Sequence, residues 1–327
     1  MDVVCLGELL LDMFPAETGK GFSEITSFIP VPGGAPANVA VAAARLGCRS
    51  AFIGKVGDDP FGRRLAAVLA ENGVDTHGMR FDRKARTTLN FMTMPDVHTT
   101  ECLFYRNPGA DMMLAEEDLD RRLIETARFF HFGSVSLTEE PCRSATLGAA
   151  RIAKAAGVRV SFDVNYRPTL WPAEAEAVVM IRQGLALADI VKVNEKELAL
   201  LAGTQDPRAG CRAILEAGPL LCVATLGPLG SFFATRDAEE AVEGFRVNTV
   251  DATGCGDAFV AALLCRLAAS LAAAGGDRAL DPEALSSALT FANAAGALTA
   301  TKKGVMSALP KAQEVEALLR KAGRAAK

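Results

Sequence analysis

One stretch of the chain combines a flexible turn, the start of a helix and a carboxylate. The sequence DATGCGD occupies residues 251–257 and precedes the apolar run AFVAALL. Its glycines allow a tight turn in which the N–H groups of Gly254, Cys255 and Gly256 converge on one point, and the helix behind them adds its positive dipole end. This arrangement suits an anion such as a phosphate.

Asp257 would lie in the first turn of the same helix, beside this anion hole. A carboxylate repels a phosphate, so the combination makes sense where the acid takes a proton from a hydroxyl that attacks the phosphate. The turn therefore predicts a small-molecule kinase with Asp257 as its base. A glycine-rich turn with an Asp that only caps the helix is the alternative, and the other motifs decide between the two.

A second glycine pair occurs early in the chain, in the sequence PGGAPAN at residues 32–38. Gly33 and Gly34 allow the backbone to approach a ligand closely, and Asn38 offers a donor and an acceptor suited to sugar hydroxyls. Asp12 follows the first predicted strand, and open α/β sheets bind ligands beyond the carboxyl ends of their strands. These four residues are candidate substrate contacts, with an ordinary capped loop and a solvated Asp as alternatives.

Two arginines stand where extended segments end. Arg106 follows the segment 87–105, and Arg167 follows a predicted core strand. An Arg in such a position either clamps a substrate oxygen or pairs with a nearby carboxylate. Both residues are candidate substrate contacts, and the two interpretations stay open.

Later motifs indicate a nucleotide site. In the segment NEKE at residues 194–197, Asn194 fits a helix N-cap, and Glu197 fits both a capping box and a carboxylate near Mg²⁺ and phosphate. Thr225 ends a predicted strand, and Gly227 and Gly230 belong to the turn after it. A nucleotide would lie along the sheet edge there, although the turn alone is ambiguous.

Short apolar runs alternate with amphipathic or Ala-rich stretches along the chain. The runs lie at residues 3–6, 51–53, 129–132, 158–163, 190–193 and 220–225. The stretches between them include 37–46, 61–72, 142–156 and 173–188. This alternation predicts an α/β protein with a mainly parallel sheet and crossover helices. We expect a three-layer α/β/α core, folded as a single domain over residues 1–327.

Two segments depart from this alternation and are predicted to be extended. They cover about residues 13–33 and 86–110, and the second shows period-two alternation. Together they are expected to form a small β-sheet lid over the site, because isolated strands need a partner to be stable. An exposed face of this lid would mediate a homodimer.

Composition excludes several classes of protein. The chain has 35 Lys and Arg against 39 Asp and Glu, a formal net charge of −4 without a long basic run, which argues against nucleic acid and membrane partners. The cysteines show no metal-binding spacing, and the start lacks a basic leader, so a cytoplasmic location is expected. The apolar run 258–274 contains Arg266 and is shorter than the ~20 residues of a bilayer span, so we interpret it as a buried helix.

The loop GGAPAN at residues 33–38, the segment NEKE and the turn DATGCGD appear in the order and near the spacing of a known family. With them the chain resembles the ribokinase-like (PfkB-type) carbohydrate kinases over essentially its whole length. Within that family it is most similar to the fructokinases, through FYRNP at residues 104–108, ADM at 110–112, FGS at 132–134 and EPCR at 140–143.

The resemblance implies roles for the same positions. Asp257 would be the base, the N–H groups of residues 254–256 would hold the charge of the transferring phosphoryl group, and ATP with Mg²⁺ would be required. The implied sugar contacts are Asp12, Gly33, Gly34 and Asn38, with Arg106 and Arg167 as further candidates. The implied nucleotide and magnesium contacts are Asn194, Glu197, Thr225, Gly227 and the helix residue Asn293. Members of the family often bind a monovalent cation such as K⁺, and Asp251 and Thr253 match part of that site.

The chain departs from the family pattern in its turn, where Ala252 replaces the usual Thr and Cys255 the usual Ala. Because the anion hole uses backbone N–H groups, we expect activity to be retained. A thiol at a helix N-terminus can have a lowered pKa, so Cys255 is expected to be reactive.

The expected reaction is transfer of the γ-phosphoryl group of ATP to a primary hydroxyl of a ketose, fructose giving fructose 6-phosphate. The segment 163–171 is also similar to kinases of 2-keto-3-deoxygluconate, so that acid sugar, or a substrate of another PfkB-type kinase, is the alternative. A non-catalytic sugar-sensing protein is a more distant alternative. Such a protein need not keep Asp257, Gly254 and Gly256, and this chain has all three.

Overall fold

The structure, a computed structural model, describes residues 1–17, 19–93, 95, 101–274 and 280–324. Within them the strands are β1 (Val3–Leu6), β2 (Leu10–Pro15), β3 (Phe28–Gly33), β4 (Ser50–Gly57), β5 (Met79–Asp82), β6 (Leu89–Thr93), β7 (Glu101–Tyr105), β8 (Phe129–Gly133), β9 (Arg159–Asp163), β10 (Ile190–Asn194), β11 (Leu221–Thr225), β12 (Gly230–Thr235) and β13 (Glu239–Glu243). The α-helices are α1 (Ala35–Arg45), α2 (Pro60–Glu71), α3 (Arg121–Glu125), α4 (Cys142–Ala155), α5 (Glu174–Leu187), α6 (Glu195–Ala202), α7 (Pro207–Leu215), α8 (Cys255–Ala274), α9 (Pro282–Ala300) and α10 (Ala312–Lys321).

The main sheet is mainly parallel, as predicted. Among the described residues it has nine strands in the order β13-β12-β11-β10-β9-β8-β1-β4-β5. The strands from β11 to β5 pair in parallel, whereas β12 and β13 add to one edge as antiparallel strands. The carboxyl ends of β9, β10 and β11 therefore lie side by side at one edge of the sheet.

Alternating side chains of the central strands divide the core into two layers. In β1, Val3 and Cys5 pack into one buried cluster with α1, α2, α8, α9 and α10. Val4 and Leu6 pack into the other cluster, with α3 to α7. Because both faces of the strand are covered, β1 is a continuous apolar run. This confirms the predicted three-layer α/β/α core.

A separate four-stranded sheet forms the lid, in the order β3-β2-β6-β7. It covers the two predicted segments, although residues 18, 94 and 96–100 lie outside the described part of the chain. The lid begins at Leu10, and only three residues separate it from the end of β1 at Leu6. Asp12, which follows the first strand as predicted, is therefore part of a lid strand, and the alternative of a solvated loop residue does not apply.

Helix α8 carries the glycine-rich turn at its amino end. Its portion Cys255–Ala272 is long and apolar enough to meet the length and composition of a membrane span, with a mean hydropathy of 1.6 and 61% of it buried inside the structure. The helix packs against α1 and α9, and the side chains of residues 258–265 are buried. This packing supports the interpretation of the run as a core helix.

Candidate active site

The turn before α8 leaves donors available at the amino end of the helix. Gly254 has a φ of 80°, which favours glycine, and a Cβ there would lie 3.0 Å from Cγ1 of Val305. Among the described residues, the N–H groups of Gly254 and Gly256 donate to no protein acceptor, whereas the Cys255 N–H donates to the Ala252 carbonyl over 3.3 Å. Two N–H groups and the helix dipole thus offer an anion-binding position. That the Cys255 N–H also donates to the anion stays a prediction.

Asp257 lies in the first turn of α8 and is buried. Its Oδ2 accepts a hydrogen bond of 2.7 Å from Nδ2 of Asn38. Burial raises the pKa of Asp257 to about 6, with Asp163 raising it further and the Asn38 hydrogen bond opposing the shift. A carboxylate with this pKa is ionised at neutral pH and is more basic than an exposed Asp, as a general base requires.

The loop that presents Asn38 is held by Glu8. Oε1 of Glu8 accepts the Ala35 N–H at 2.9 Å, which fixes the start of α1. Gly34 has a φ of 107°, and a Cβ there would lie 2.4 Å from the Glu8 carbonyl oxygen. Oε2 of Glu8 and Oδ1 of Asn38 are buried without a hydrogen-bond partner among the described residues. Gly34 is therefore required by packing against the chain itself, and its contact with a sugar stays a prediction.

Asp12 lies in β2 of the lid and is buried close enough to Asp257 for their charges to interact. Its Oδ1 accepts a 2.7 Å hydrogen bond from Nδ2 of Asn90, its partner in the register between β2 and β6. Burial raises the pKa of Asp12 to about 6, the Asn90 hydrogen bond and Arg167 lower it, and the charge of Asp257 raises it. These interactions bring the lid carboxylate and the core carboxylate to one site. A Cβ on Gly33 would lie 2.0 Å from Oδ2 of Asp12, so Gly33 makes room for this side chain.

The two arginines have different surroundings. Arg106 is buried, with its Nε 2.7 Å from Oδ2 of Asp111 and one guanidinium nitrogen 2.8 Å from the Thr138 hydroxyl. Arg167 is exposed, and its charge lowers the pKa of both Asp12 and Asp257. Of the two interpretations, pairing with a nearby carboxylate thus describes Arg106. Arg167 is instead an exposed cation near Asp12 and Asp257.

The NEKE segment forms the capping box that its spacing allows. The Asn194 side chain accepts the Glu197 N–H at 3.0 Å, and Oε2 of Glu197 accepts the Asn194 N–H at 2.8 Å. Oε1 of Glu197 accepts the Tyr166 N–H at 2.9 Å. Each carboxylate oxygen already accepts one backbone N–H and keeps one free lone pair. With that lone pair it can accept a hydrogen bond from a water ligand of Mg²⁺.

The other predicted nucleotide residues line the edge of the sheet beside β11 and β12. Thr225 ends β11 and donates to the Val193 carbonyl at 3.3 Å. Gly227 has a φ of 56°, and Gly230, with a φ of 108°, would place a Cβ 2.2 Å from the Val242 carbonyl oxygen. Asn293 of α9 donates to Ser231 and to the Val242 carbonyl, both at 3.1 Å. These contacts are structural, and the nucleotide roles of the four residues stay predictions.

The predicted cation residues occupy the loop before the turn. Oδ1 of Asp251 accepts the Thr253 N–H at 2.9 Å and the Thr253 hydroxyl at 2.7 Å, and Oδ2 accepts the Gly304 N–H at 3.2 Å. Within the described residues, no group of three or more His, Cys, Asp and Glu side chains is placed to hold a metal ion. Asp251 has oxygen lone pairs suited to K⁺, and the cation roles of Asp251 and Thr253 stay predictions.

The lowered pKa expected for Cys255 is contradicted, whereas its reactivity stays a prediction. Burial and the negative charges of Asp251 and Asp257 raise the pKa of this thiol to about 12. The helix dipole that motivated the expectation is outweighed, because burial and two nearby negative charges both disfavour the thiolate.

Sequence reasoning missed four polar residues of the site: Glu8, Asn90, Asp163 and Lys192. Nζ of Lys192 lies 3.0 Å from Oδ1 of Asp163, and both side chains are buried. A charged residue within an apolar strand run is a usable sequence signal, and Asp163 and Lys192 both show it. Asn90 and Glu8 carry a weaker signal, because Asn90 stands in an extended segment whose faces the sequence does not assign and Glu8 lies in the short connection between β1 and β2.

Comparison with known proteins agrees with this geometry. The pfkB family carbohydrate kinases match over residues 1–312. The chain is 47% identical over 320 residues to "Probable fructokinase-7" of Arabidopsis thaliana, covering 97% of this chain and 92% of that protein.

Solved structures show the same fold. Fructokinase with bound ATP from Xylella fastidiosa superposes with a TM-score of 0.90 at 36% identity, covering 98% of this chain and 99% of that one. A fructokinase double mutant from Vibrio cholerae O395, in its form with fructose, ADP and potassium ion, gives a TM-score of 0.85 at 36% identity over 97% of each chain. The chain belongs to the pfkB family of carbohydrate kinases.

Proposed function

We propose that the protein phosphorylates fructose at O6 with ATP. The observation that carries this proposal is the pairing of Asp257 with Asn38 beside the free N–H groups of Gly254 and Gly256. The fructose and ATP found in the related crystal structures support it.

In the proposed reaction Asp257 accepts the proton of the attacking hydroxyl. The oxygen of that hydroxyl bonds to the γ-phosphorus as the bond between the γ-phosphorus and the β,γ-bridging oxygen breaks, and ADP leaves with the electron pair. The N–H groups of Gly254 and Gly256 offset the negative charge on the transferring group, and the dipole of α8 adds to their effect. Asn38 fixes the orientation of the Asp257 carboxylate through its 2.7 Å hydrogen bond.

The sugar would be held between lid and core. Asp12 accepts hydroxyl hydrogen bonds, and the unpartnered Oδ1 of Asn38 accepts another. Closing the lid over the sugar would exclude water from the phosphoryl group and limit hydrolysis of ATP. Mg²⁺ bound with ATP would neutralise phosphate charge, and Glu197 is the residue that would orient its water ligands.

The surroundings of Arg106 favour a neutral sugar. Its guanidinium is already paired with Asp111, which leaves Arg167 as the exposed cation near Asp12 and Asp257. An acid sugar such as 2-keto-3-deoxygluconate would bring a carboxylate toward two buried carboxylates and one exposed arginine. Fructose avoids this repulsion, and the acid sugar remains the second candidate.

A coupled assay of ADP release over fructose, 2-keto-3-deoxygluconate, ribose and nucleosides tests the assignment. We expect the highest kcat/KM with fructose and a product that co-migrates with fructose 6-phosphate. A higher value with 2-keto-3-deoxygluconate would overturn the choice of sugar. ADP release with none of them would instead favour a non-catalytic sugar sensor.

We also propose that the lid forms a homodimer. Leu103 and Tyr105 lie on one face of β7 and are 47% and 63% exposed, and the Tyr105 ring contacts Phe91, which contacts Phe28. A patch of this kind is typical of a contact surface. Light scattering should give twice the monomer mass for the natural chain and the monomer mass for Tyr105→Lys; a monomeric natural chain would exclude the dimer.

Two further expectations belong to this proposal. K⁺ should activate the enzyme through the Asp251 loop, as the potassium in the Vibrio cholerae structure supports, so the rate in KCl should exceed the rate in NaCl. A cytoplasmic location fits the eight cysteines, which are free thiols, and cell fractionation would test it.

A further inference from the structure

We propose that Lys192 is a catalytic residue whose ammonium group contacts the γ-phosphoryl group of the bound nucleotide. The inference rests on the proposed transfer from ATP and adds a residue to it. It starts from a buried lysine that the mechanism above does not use.

Lys192 is held in place by the carboxylate of the neighbouring strand. Lys192 in β10 and Asp163 in β9 are partners in the parallel register, near the carboxyl ends of both strands. Nζ lies 3.0 Å from Oδ1 and 3.3 Å from Oδ2 of Asp163. The ammonium group is therefore fixed at the edge of the sheet where ligands of this fold class bind.

The same ammonium group lies beside the first turn of α8. A Cβ placed on Gly256 would be 3.4 Å from Nζ and 3.9 Å from Cε of Lys192. Since glycine has no side chain, no atom of a side chain at residue 256 stands between the ammonium and the N–H groups of the turn. An anion held by those N–H groups is within reach of Nζ.

Lys192 also has a donor to spare. An ammonium carries three N–H donors, and in the described residues its hydrogen bonds go to the two oxygens of Asp163. Burial opposes the charged form, but Asp163, Glu197 and Asp257 outweigh it and raise the pKa of Lys192. The residue is thus a fixed cation with one N–H free for an oxygen of the substrate.

The negative charges around Lys192 indicate a role for its ammonium group in binding the nucleotide. Asp163, Glu197 and Asp257 are three buried carboxylates close to Lys192, and a nucleotide brings further negative charge. A buried ion pair contributes little to stability compared with apolar residues of the same size, so its presence here is better explained by ligand binding. Contact with the γ-phosphoryl group uses the cation where charge moves during transfer.

The test compares two nucleotides that differ in the γ-phosphoryl group. Affinities for ADP and for a non-hydrolysable ATP analogue are measured by calorimetry with MgCl₂, in the natural chain and in Lys192→Met. We expect the analogue to bind at least about tenfold more weakly in the variant, as loss of a charged hydrogen bond implies, while ADP affinity changes less than about twofold. Equal losses for both nucleotides, or no loss for either, would overturn the proposal.

A second variant separates the contact from folding. Lys192→Met leaves Asp163 buried without its partner, so the double variant Asp163→Asn/Lys192→Met removes both charges and should show the same selective loss. Asp163→Asn alone keeps the ammonium group. Its ratio of analogue affinity to ADP affinity should therefore be higher than that of Lys192→Met or of the double variant. A double variant with the natural ratio of the two affinities would also contradict the contact.

The readout is independent of the sugar. If no sugar in the ADP-release assay is phosphorylated but the analogue affinity falls selectively, the proposed function fails and the Lys192 contact stands. If fructose is phosphorylated but Lys192→Met leaves the ratio of the two affinities unchanged, the proposed function stands and the Lys192 contact fails.

Discussion

Nδ2 of Asn38 donates to Oδ2 of Asp257 over 2.7 Å and joins residues that are 219 positions apart in the chain. The bond connects the first turn of α1 with the first turn of α8. The residue predicted to bind the sugar therefore also orients the residue predicted to accept its proton. In the proposed mechanism, sugar binding and proton transfer would be coupled through the amide group of Asn38.

Replacing Asp257 by Asn should nearly abolish turnover. The change keeps the shape of the side chain but removes its basicity, and general-base catalysis typically contributes ~10²–10⁴-fold. We expect kcat to fall by about that factor, with the dissociation constant of the sugar within about threefold, measured by steady-state kinetics and calorimetry.

Asp206→Asn provides the matched control, because Asp206 caps α7 with the same chemistry and Asn caps a helix equally well. It should leave kcat unchanged. Near-normal turnover of Asp257→Asn would refute the assignment of the base.

The rate should depend on pH near 6. The pKa of Asp257 is raised to about 6, so the carboxylate is ionised above this pH and protonated below it. Activity is therefore present at neutral pH, and kcat should fall about tenfold for each pH unit below 6. The fall in kcat/KM should be steeper, because Asp12, whose pKa is also raised to about 6, is protonated over the same range. In Asn38→Ala, the lost hydrogen bond should move this acid limb to higher pH. An acid limb near the ordinary pKa of Asp would contradict the buried base.

Asn90 should control the affinity for the sugar through Asp12. Asn90→Ala removes the 2.7 Å hydrogen bond to Asp12 and should raise the sugar KM about tenfold, as the loss of a hydrogen bond to a charged group implies, with a smaller effect on kcat. Asn90→Asp places a second carboxylate there and should raise KM further. Equal KM values for the natural chain and both variants would show that Asp12 needs no support.

Gly33→Ala should weaken sugar binding for a steric reason. The added Cβ would lie 2.0 Å from Oδ2 of Asp12 and force that side chain to move. We expect KM for the sugar to rise at least about tenfold, the loss expected for a misplaced charged hydrogen bond. Gly21→Ala is the control within the lid connection, since its Cβ would contact only the flexible end of Glu24 at 3.7 Å. Similar kinetics of the two variants would argue against Asp12 as a sugar contact.

Thiol reagents should act slowly on Cys255. With its pKa raised to about 12, the thiol is almost wholly protonated at neutral pH. Iodoacetamide at pH 7 should leave this residue unmodified by mass spectrometry while Cys48, which is equally half-buried but has a lowered pKa, reacts. Cys255→Ala should retain activity. Rapid, ATP-protected labelling of Cys255 would contradict the structure.

The sequence predicts the centre of the fold better than its edges. The six apolar runs correspond to β1, β4, β8, β9, β10 and β11, because strands covered on both faces must be apolar. Strands β5, β12 and β13 escape detection. β13 reads EEAVE and has an exposed face, so it lacks the apolar run that marks a buried strand.

The sequence predicts the site residues that belong to short local motifs. It misses those whose role depends on contacts between residues far apart in the chain. The turn at residues 254–257 and the capping box of Asn194 and Glu197 are short-range patterns that the sequence displays in full. The bond from Asn90 to Asp12 depends on the register between β2 and β6. The contact of Lys192 with Gly256 depends on how α8 packs against the sheet edge, which no local pattern encodes.

The direct passage from β1 into the lid has an evolutionary consequence. The groups predicted to contact the sugar come from Asp12 to Asn38, with Arg106 after β7 and Arg167 after β9 as two further positions. The groups assigned to the nucleotide come from residues 192–293 of the chain. The acceptor specificity proposed above would then depend on short stretches that are distant from one another in the sequence, so substitutions that arise in them during evolution would change the choice of sugar without altering the turn that holds the phosphoryl group.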